Sequence, residues 1–95
     1  MTAIPGPGVR AIAEERVRQI TEEGWSAEHD DEHADGQMGY AAMCYLREAL
    51  GMDGIFDWPW DQEWWKPADS QLRNLEKAGA LIAAEYDRIY RGLGI

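Results

Sequence analysis

Apolar residues recur at helical spacing in three stretches of the chain, and this repeat constrains the fold more than any other sequence feature. Spacings of three and four residues place one set of side chains on each predicted helix face. In the first stretch the positions at this spacing are Val9, Ile12, Ala13, Val17 and Ile20, together with the charged Arg16. In the second they are Met38, Ala41, Ala42, Tyr45 and Ala49, and in the third Leu72, Leu75, Ala78, Leu81, Ile82, Ala83, Tyr86 and Ile89. No stretch alternates with the period of two typical of strands. The sequence therefore predicts a mostly α fold with three principal helices.

Turn-forming residues mark the ends of these helices. A Pro- and Gly-rich leader, residues 1–8, comes first because proline does not fit a helix interior, and Gly24 ends the first helix. The second helix is predicted over about residues 37–50, and the third begins after the N-cap Asp69. The length predicts one small domain, residues 1–95, with a limited core. We expect a homo-oligomer, because association buries further surface.

An aromatic-rich connection, residues 51–68, separates the second and third helices. Its five aromatic residues are Phe56, Trp58, Trp60, Trp64 and Trp65, interrupted by Gly54 and Pro59. So many large rings would be costly to leave in water, which predicts an ordered loop. The loop either fills the core, the expectation for at least three of its four tryptophans, or presents planar rings on which a nucleobase stacks.

The formal net charge of −9 restricts the partners of the chain. Binding to a nucleic-acid backbone requires clustered lysine and arginine, so we expect no nucleic-acid partner, and an anionic membrane surface is equally disfavoured. No run approaches the roughly 18 apolar residues of a membrane span, and the opening MTAIPGPGVR has no apolar signal segment. These features predict a cytoplasmic protein. The single cysteine, Cys44, lies among small and apolar residues, which predicts a buried, unreactive thiol.

The stretch EEGWSAEHDDEH, in the first third of the chain, concentrates polar groups suited to a site. Ser26 is placed to cap a short helical turn, and His29 and His33 share one face of that turn. Both imidazoles could bind one transition metal, and neighbouring carboxylates, among them Asp30 and Asp31, could hold Mg²⁺ or Mn²⁺ instead. A solvated acidic helix start explains the same residues without a ligand. The sequence leaves these alternatives open.

The acidic residues also resemble in outline those of the divalent-metal-dependent, all-α nucleotide pyrophosphohydrolases, in which carboxylates hold Mg²⁺ and orient a water for attack on phosphorus. The carboxylates of this alternative are Glu14, Glu15, Asp30, Asp31 and Glu85. Such sites need an E-E-x-x-E pattern on one helix and an E-x-x-D pattern on the next. The first helix reads EERVRQITEE and the second MGYAAMCYLREAL, so neither pattern is complete. Mg²⁺ is expected as a cofactor only under this alternative.

Two resemblances bear on function. The segments ERVRQITEEGWSAEHDDEHADGQMGYAAMCYL and WPWDQEWWKPADSQLRNLEKAGALIAAEYDRIYR resemble a family of small uncharacterised proteins from tailed phages and prophages, which implies a phage-encoded protein acting in the host cytoplasm. The first half is also similar to the ryanodine-receptor repeat domain, whose pattern is matched in order by Arg16, Gly24, Trp25, Asp30 and Asp31. The His-Pro and Leu-Val-Pro-Tyr elements of that domain are missing. Such domains are thought to recognise nucleotide-like ligands, so this resemblance implies a ligand class and no catalytic residue.

The leading hypothesis is a phage-encoded, non-enzymatic module that sequesters a small nucleotide-derived ligand, such as a host immune signal made from NAD or a cyclic nucleotide. The predicted ligand-binding residues are Arg16, Trp25, His29, Asp30, Asp31, Trp64, Trp65 and Lys66. In this role arginine holds phosphate, tryptophan stacks on the base, and aspartate accepts hydrogen bonds from ribose. No cofactor is expected. The pyrophosphohydrolase is the first alternative, and a protein-interaction decoy whose acidic surface mimics nucleic acid is the second.

Overall fold

Residues 3–94, which a computed structural model describes, form four α-helices and no strand. Residues 1, 2 and 95, which belong to the predicted leader and domain, lie outside the described residues. The helices are α1, Pro7–Thr21; α2, Ala27–Asp31; α3, Gln37–Ala49; and α4, Gln71–Gly92, with a 3-10 turn at Gln62–Trp64. The predicted mostly α fold with three principal helices (α1, α3 and α4) is confirmed. None of the helices within residues 3–94 is long and apolar enough to cross a membrane.

Three helix ends differ from their predicted positions, and local residue chemistry explains the two that are helix starts. α1 begins at Pro7, inside the predicted leader, because the N–H that proline lacks would have no partner in the first turn. It ends at Thr21 rather than at Gly24. α4 begins after Ser70 rather than Asp69, because the Ser70 hydroxyl accepts a backbone N–H of the first turn at 3.1 Å.

The core lies between α3 and α4, which pack closely because small residues face each other. The core residues are Met38, Ala41, Ala42, Tyr45, Ala78, Leu81 and Ala84. Alanine at so many contact positions lets the two helix backbones approach. α1 and α2 also pack against α4. α1 crosses α4 at Gly79, where a Cβ atom would lie 2.5 Å from Ile12 Cδ1, so this glycine marks tight packing.

Only α3 buries the whole apolar face that its sequence displays. Every residue of its stripe is buried. α4 buries Leu81 but leaves Ile82 and Tyr86 exposed, and α1 turns most of its apolar residues to solvent. The buried residues of α1 are both polar, Glu15 and Gln19. The helical spacing therefore locates the helices correctly, whereas the side of α1 that meets the core is the polar one.

The aromatic connection lies against the core, as an ordered loop. Trp58, Trp60 and Trp65 are partly buried and pack on the core residues. Gly54 is buried because the loop passes close to α3: a Cβ atom at this position would overlap the Cys44 carbonyl oxygen. The Cys44 thiol donates to the Phe56 carbonyl oxygen at 3.1 Å, and burial raises its pKa. The predicted ordered, tryptophan-rich loop is confirmed.

Candidate functional site

An open cavity of about 680 Å³ is lined by residues of all four α-helices, by the residues that flank α2, and by the aromatic connection. Aromatic lining residues come mainly from α2, its flanks and the connection, whereas α1 and α4 contribute charged residues. The volume falls within the roughly 300–1,000 Å³ typical of small-molecule sites. The cavity is therefore large enough for a small ligand.

Five rings follow one another along the cavity and form its aromatic wall, defined as Trp25, His29, His33, Trp60 and Trp58. Trp25 and His29 are parallel, with ring centroids 5.9 Å apart and 1° between the ring planes. His33 meets His29 edge-on at 4.9 Å and Trp60 at 5.2 Å. Trp60 meets Trp58 at 5.3 Å. The wall is thus a continuous series of ring contacts.

Local hydrogen bonds explain how the aromatic wall forms. Ser26 accepts the backbone N–H of His29 at 3.3 Å, so the predicted cap starts α2 directly after Trp25. His33 then follows His29 at the helical spacing that places both rings on one face. The indole N–H of Trp58 donates to a backbone carbonyl three residues further on at 3.0 Å, which fixes that ring.

Trp64 and Trp65 lie in different surroundings: Trp65 packs on the core, and Trp64 faces the cavity. Trp65 packs against Tyr45 at 4.8 Å and Trp58 at 5.0 Å between ring centroids, on the core side of the loop. Trp64 is exposed, lines the cavity, and has Lys66 Nζ 5.4 Å from its ring centroid. The connection therefore both covers the core and supplies rings to the cavity.

α1 brings a cluster of ion pairs to the cavity. Arg18 donates to both carboxylate oxygens of Glu15, at 2.7 and 3.0 Å, and to Glu23 at 2.9 Å. Arg73 of α4 reaches the same Glu15 at 2.7 Å. Burial alone raises the pKa of Glu15, but the hydrogen bonds and charges of the two arginines outweigh it and hold the pKa below its usual range. Hydrogen bonds to Glu15 and Glu23 raise the pKa of Arg18 in turn, so Glu15 and Arg18 are both ionised at neutral pH.

Two lysines border the cavity and form no ion pair with any carboxylate of residues 3–94: Lys66 and Lys77. Lys77 Nζ donates to the Lys66 carbonyl oxygen at 2.8 Å and lies 5.5 Å from the Tyr45 ring centroid. Burial, followed by the charge of Arg73, lowers the pKa of Lys77. An anion beside Lys77 would counter both effects, because it stabilises the protonated ammonium.

His33 differs from the lysines in favouring its neutral form. Burial, followed by the charge of His29, lowers the pKa of His33, and the nearby carboxylates of Asp30 and Glu32 oppose this shift only in part. A neutral imidazole keeps one nitrogen as donor and the other as acceptor. The middle of the aromatic wall is therefore uncharged at neutral pH and able to pair with a polar ligand group.

The structure brings four of the eight predicted ligand-binding residues to the cavity: Trp25, His29, Trp64 and Lys66. The other four lie outside its lining: Arg16, Asp30, Asp31 and Trp65. Arg16 donates to Asp30 at 2.6 Å, and the Asp30 side chain is fully buried. Asp31 pairs with Arg91 at 2.8 Å on the surface. These two aspartates therefore attach α2 to α1 and to the end of α4.

The cavity also contains residues that the sequence did not single out as ligand-binding. Among them are Arg18 and Lys77, and Tyr45, which was predicted only as a residue of the apolar face of the second helix. The pair of Glu15 with Arg18 has a local signal, because the two residues are three apart on one helix, whereas Glu15 meets Arg73 only after folding. Lysine scarcity is a usable signal, since the chain has two lysines and both border the cavity. That observation would have placed Lys77 beside Lys66 among the predicted ligand-binding residues.

The acidic residues that the sequence suggested as metal ligands do not come together in the structure. Within residues 3–94, no three His, Cys, Asp or Glu side chains lie close enough together to hold a metal ion. Four of the five carboxylates predicted for Mg²⁺ are paired with arginines instead: Glu15 with Arg18, Asp30 with Arg16, Asp31 with Arg91 and Glu85 with Arg88. These carboxylates are therefore distributed over separate ion pairs rather than gathered at one point.

The chain matches no protein-family model, no curated protein and no solved structure among those with which it was compared. Its fold and cavity define the class of protein: a small all-α domain in which helices and a tryptophan-rich connection surround a cavity with aromatic and ionised linings. The resemblances to phage proteins and to the ryanodine-receptor repeat domain stay predictions.

Proposed function

We propose that the cavity binds a small nucleotide-derived ligand and that the protein sequesters this ligand without transforming it. The observation that carries the proposal is the continuous aromatic wall in the same cavity as two lysines that no carboxylate of residues 3–94 neutralises. A nucleotide combines a planar base with an anionic phosphate, and the cavity offers a partner for each. A volume of about 680 Å³ accommodates about one or two nucleotides.

The base is proposed to stack on the aromatic wall. Stacking of a base on an aromatic side chain contributes about 1–3 kcal/mol. Trp25 is held in place before binding, because its backbone N–H donates to the Gln19 carbonyl oxygen at 3.0 Å and its ring already packs on His29. Little side-chain freedom remains to be lost when a ligand arrives, which favours affinity.

The phosphate is proposed to lie at Lys66 and Lys77 rather than at Arg16, which is committed to Asp30. Lys77 uses one ammonium hydrogen on a backbone carbonyl and has others to donate to phosphate oxygens. The acidic and basic lining residues are equal in number: Glu15, Glu23 and Asp61 against Arg18, Lys66 and Lys77. The cavity is therefore locally neutral although the chain carries −9, so the net charge does not oppose phosphate binding there.

The remaining roles follow from the same lining. Asp61 is the lining carboxylate that no arginine of residues 3–94 engages, so we assign it to the ribose hydroxyls as a hydrogen-bond acceptor. A protein that holds a nucleotide in this way withdraws it from its other receptors. This fits the capture, by a phage-encoded protein, of a host immune signal made from NAD or a cyclic nucleotide.

The first test is a binding screen. The purified chain is mixed with nucleoside mono- and triphosphates, cyclic dinucleotides and cyclic ADP-ribose isomers, with and without Mg²⁺. The protein is filtered off, and both the flow-through and the material released by denaturation are chromatographed. We expect a compound that is missing from the flow-through and released intact. Tryptophan fluorescence then gives the Kd, since four of the five tryptophans line the cavity.

Paired variants assign the binding to the cavity. Trp25→Leu is expected to raise the Kd about 5- to 150-fold, the equivalent of about 1–3 kcal/mol, and Lys77→Met at least about tenfold, through loss of a charge-assisted contact. Phe56→Leu and Arg10→Met are the matched controls, because they change an exposed ring and an exposed cation outside the cavity. Controls that weaken binding as much as their partners would place the ligand elsewhere.

The same screen separates the alternatives. Metal-dependent loss of a triphosphate to a monophosphate and pyrophosphate would replace sequestration with the pyrophosphohydrolase activity. If every compound passes into the flow-through unchanged, the nucleotide proposal fails. The acidic decoy then becomes the next hypothesis, and a basic host protein the partner to seek.

A further inference from the structure

α4 carries an apolar stripe that the rest of the described chain leaves largely uncovered. The α4 stripe consists of Leu72, Leu75, Gly79, Ile82, Tyr86, Ile89 and Leu93, at alternating spacings of three and four. Its six side chains are between 36% and 70% exposed. α1 crosses the stripe at Gly79 through Ile12 and leaves the half from Ile82 to Leu93 open.

α1 extends this uncovered apolar surface. Val9, Val17 and Ile20 are all exposed, although they share one side of the helix. Val9 lies one turn from Ile12, the residue that packs on Gly79, so this side of α1 borders the crossing with α4. The polar Glu15 points the other way, into the cavity cluster. The apolar residues of both helices are therefore available for packing at one side of the molecule.

The chain also exposes more surface than a compact monomer of its size. Its solvent-accessible surface is 6501 Å², against about 5500 Å² expected for 10.8 kDa. The radius of gyration, 13.7 Å, exceeds the roughly 12.4 Å expected for 95 residues. The molecule is flat, with extents of 38 × 35 × 22 Å. The excess surface, about 1000 Å², is close to the roughly 800 Å² that each partner buries in a stable complex.

We propose that the α4 stripe, flanked by the apolar side of α1, is the interface of a homodimer. In the half that α1 leaves open, Ile82, Tyr86, Ile89 and Leu93 keep the spacing of three and four residues with which one helix packs along a copy of itself. In a two-fold dimer the same patch serves both partners, so a single self-complementary stripe suffices. A second copy also supplies an equal apolar surface, so one contact covers the stripe of both chains.

Charge gives the dimer a distinctive salt dependence. Two copies together carry twice the −9 of one chain, and this repulsion opposes association. The α4 stripe itself contains no charged residue. Added salt screens the repulsion and leaves the apolar packing intact, so the dimer tightens as NaCl rises. A complex held by the acidic surface and a basic partner would weaken instead.

The dimer is independent of the proposed ligand. Glu15 and Arg18 line the cavity, whereas Val9 and Val17 lie on the other side of α1. Two copies joined through the α4 stripe therefore leave both cavities open. Variants that break the dimer are expected to keep the Kd for a cavity ligand, so failure of either proposal is recognisable without the other.

The test measures mass against concentration for the full chain. Light scattering and sedimentation equilibrium are run from about 1 to about 500 µM chain, since the assembly follows mass action, in about 0.1 and about 0.5 M NaCl. We expect a mass approaching twice 10.8 kDa, reached at lower concentration in the higher salt. A mass that stays at 10.8 kDa throughout both series overturns the proposal.

Two lysine substitutions locate the interface. Ile82→Lys lies in the uncovered half of the α4 stripe, and Leu50→Lys lies at the end of α3; the two side chains are 57% and 62% exposed. Both variants have the same net charge and should fold equally well. Ile82→Lys is expected to raise the dimer Kd at least about 100-fold, because the symmetric interface receives two charges. Leu50→Lys should leave it unchanged. Equal weakening by both, or weakening by Leu50→Lys alone, overturns the assignment.

Discussion

Asp30→Asn tests whether a carboxylate in the acidic stretch supports the fold. The Asp30 side chain is fully buried, with Oδ2 2.6 Å from Arg16 Nη2 and Oδ1 3.1 Å from His29 Nδ1. Asparagine can turn its amide oxygen to Arg16 and its N–H₂ to His29 Nδ1, but it carries no negative charge to compensate the guanidinium of Arg16. Asp31 is the matched neighbour, because its pair with Arg91 is exposed to solvent.

The expected magnitude follows from burial. Removing one partner of a buried ion pair costs about 3–5 kcal/mol, because the other charge stays buried without compensation. A 95-residue domain has about 5–14 kcal/mol of total stability, so this single change removes a large fraction of it. Asp31→Asn is expected to have almost no effect, since water and salt already screen the exposed pair.

Urea unfolding measures the difference. With an m value of about 1–1.5 kcal/mol/M for so small a chain, Asp30→Asn should lower the unfolding midpoint by about 2–3 M or more. Combining Arg16→Met with Asp30→Leu should recover most of the loss, because an apolar pair replaces the ionic one. If Asp30→Asn and Asp31→Asn shift the midpoint equally little, the buried ion pair does not hold α2 in place, and the reasoning is refuted.

Two further predictions concern packing and protonation. Gly79→Ala should lower the free energy of unfolding by about 1–3 kcal/mol, because the new methyl group meets Ile12 at 2.5–2.7 Å. Gly92→Ala should be neutral or stabilising, because no obstructing atom lies within 4 Å among the described residues. Urea unfolding measures both changes. Because burial lowers the pKa of His33 below its ordinary 6.5, the unfolded chain takes up this proton first as pH falls, so stability declines between pH 6.5 and the lowered pKa. His33→Gln should reduce that decline when unfolding is compared at about pH 7.5 and about pH 5.5, and an unchanged decline would contradict the assignment.

Local features of the sequence predicted the helices well. Periodic spacing located α1, α3 and α4, because helical repetition is a property of neighbouring residues. Ser26 was recognised as a cap for the same reason: its partner, the N–H of His29, is three residues away. The buried face of α3 was also predicted, since α3 lies in the core and has one apolar face to bury.

The side of α1 that faces the core could not be predicted in this way. Periodicity shows that Val9 and Val17 share a side, but only the packed fold decides which side α4 covers. Glu15 is buried because Arg18 and Arg73 satisfy its charge, and Arg73 is distant along the chain. The candidate site was half predicted for the same reason. Its rings and the pair of Glu15 with Arg18 are visible in the sequence, whereas the contact of Glu15 with Arg73 arises only in the packed fold.

The orientation of α1 has a physical explanation in the two proposals taken together. Buried ion pairs contribute little net stability compared with apolar packing, so a small core gains nothing from placing Glu15 inside and Val17 outside. Turning α1 about its axis would bury the apolar residues, but it would remove Arg18 from the cavity and the apolar side from the proposed dimer interface. Departures from local sequence rules concentrate at functional sites. α1 departs from the amphipathic rule on both sides at once, with charge facing the proposed ligand site and apolar residues facing the proposed dimer partner.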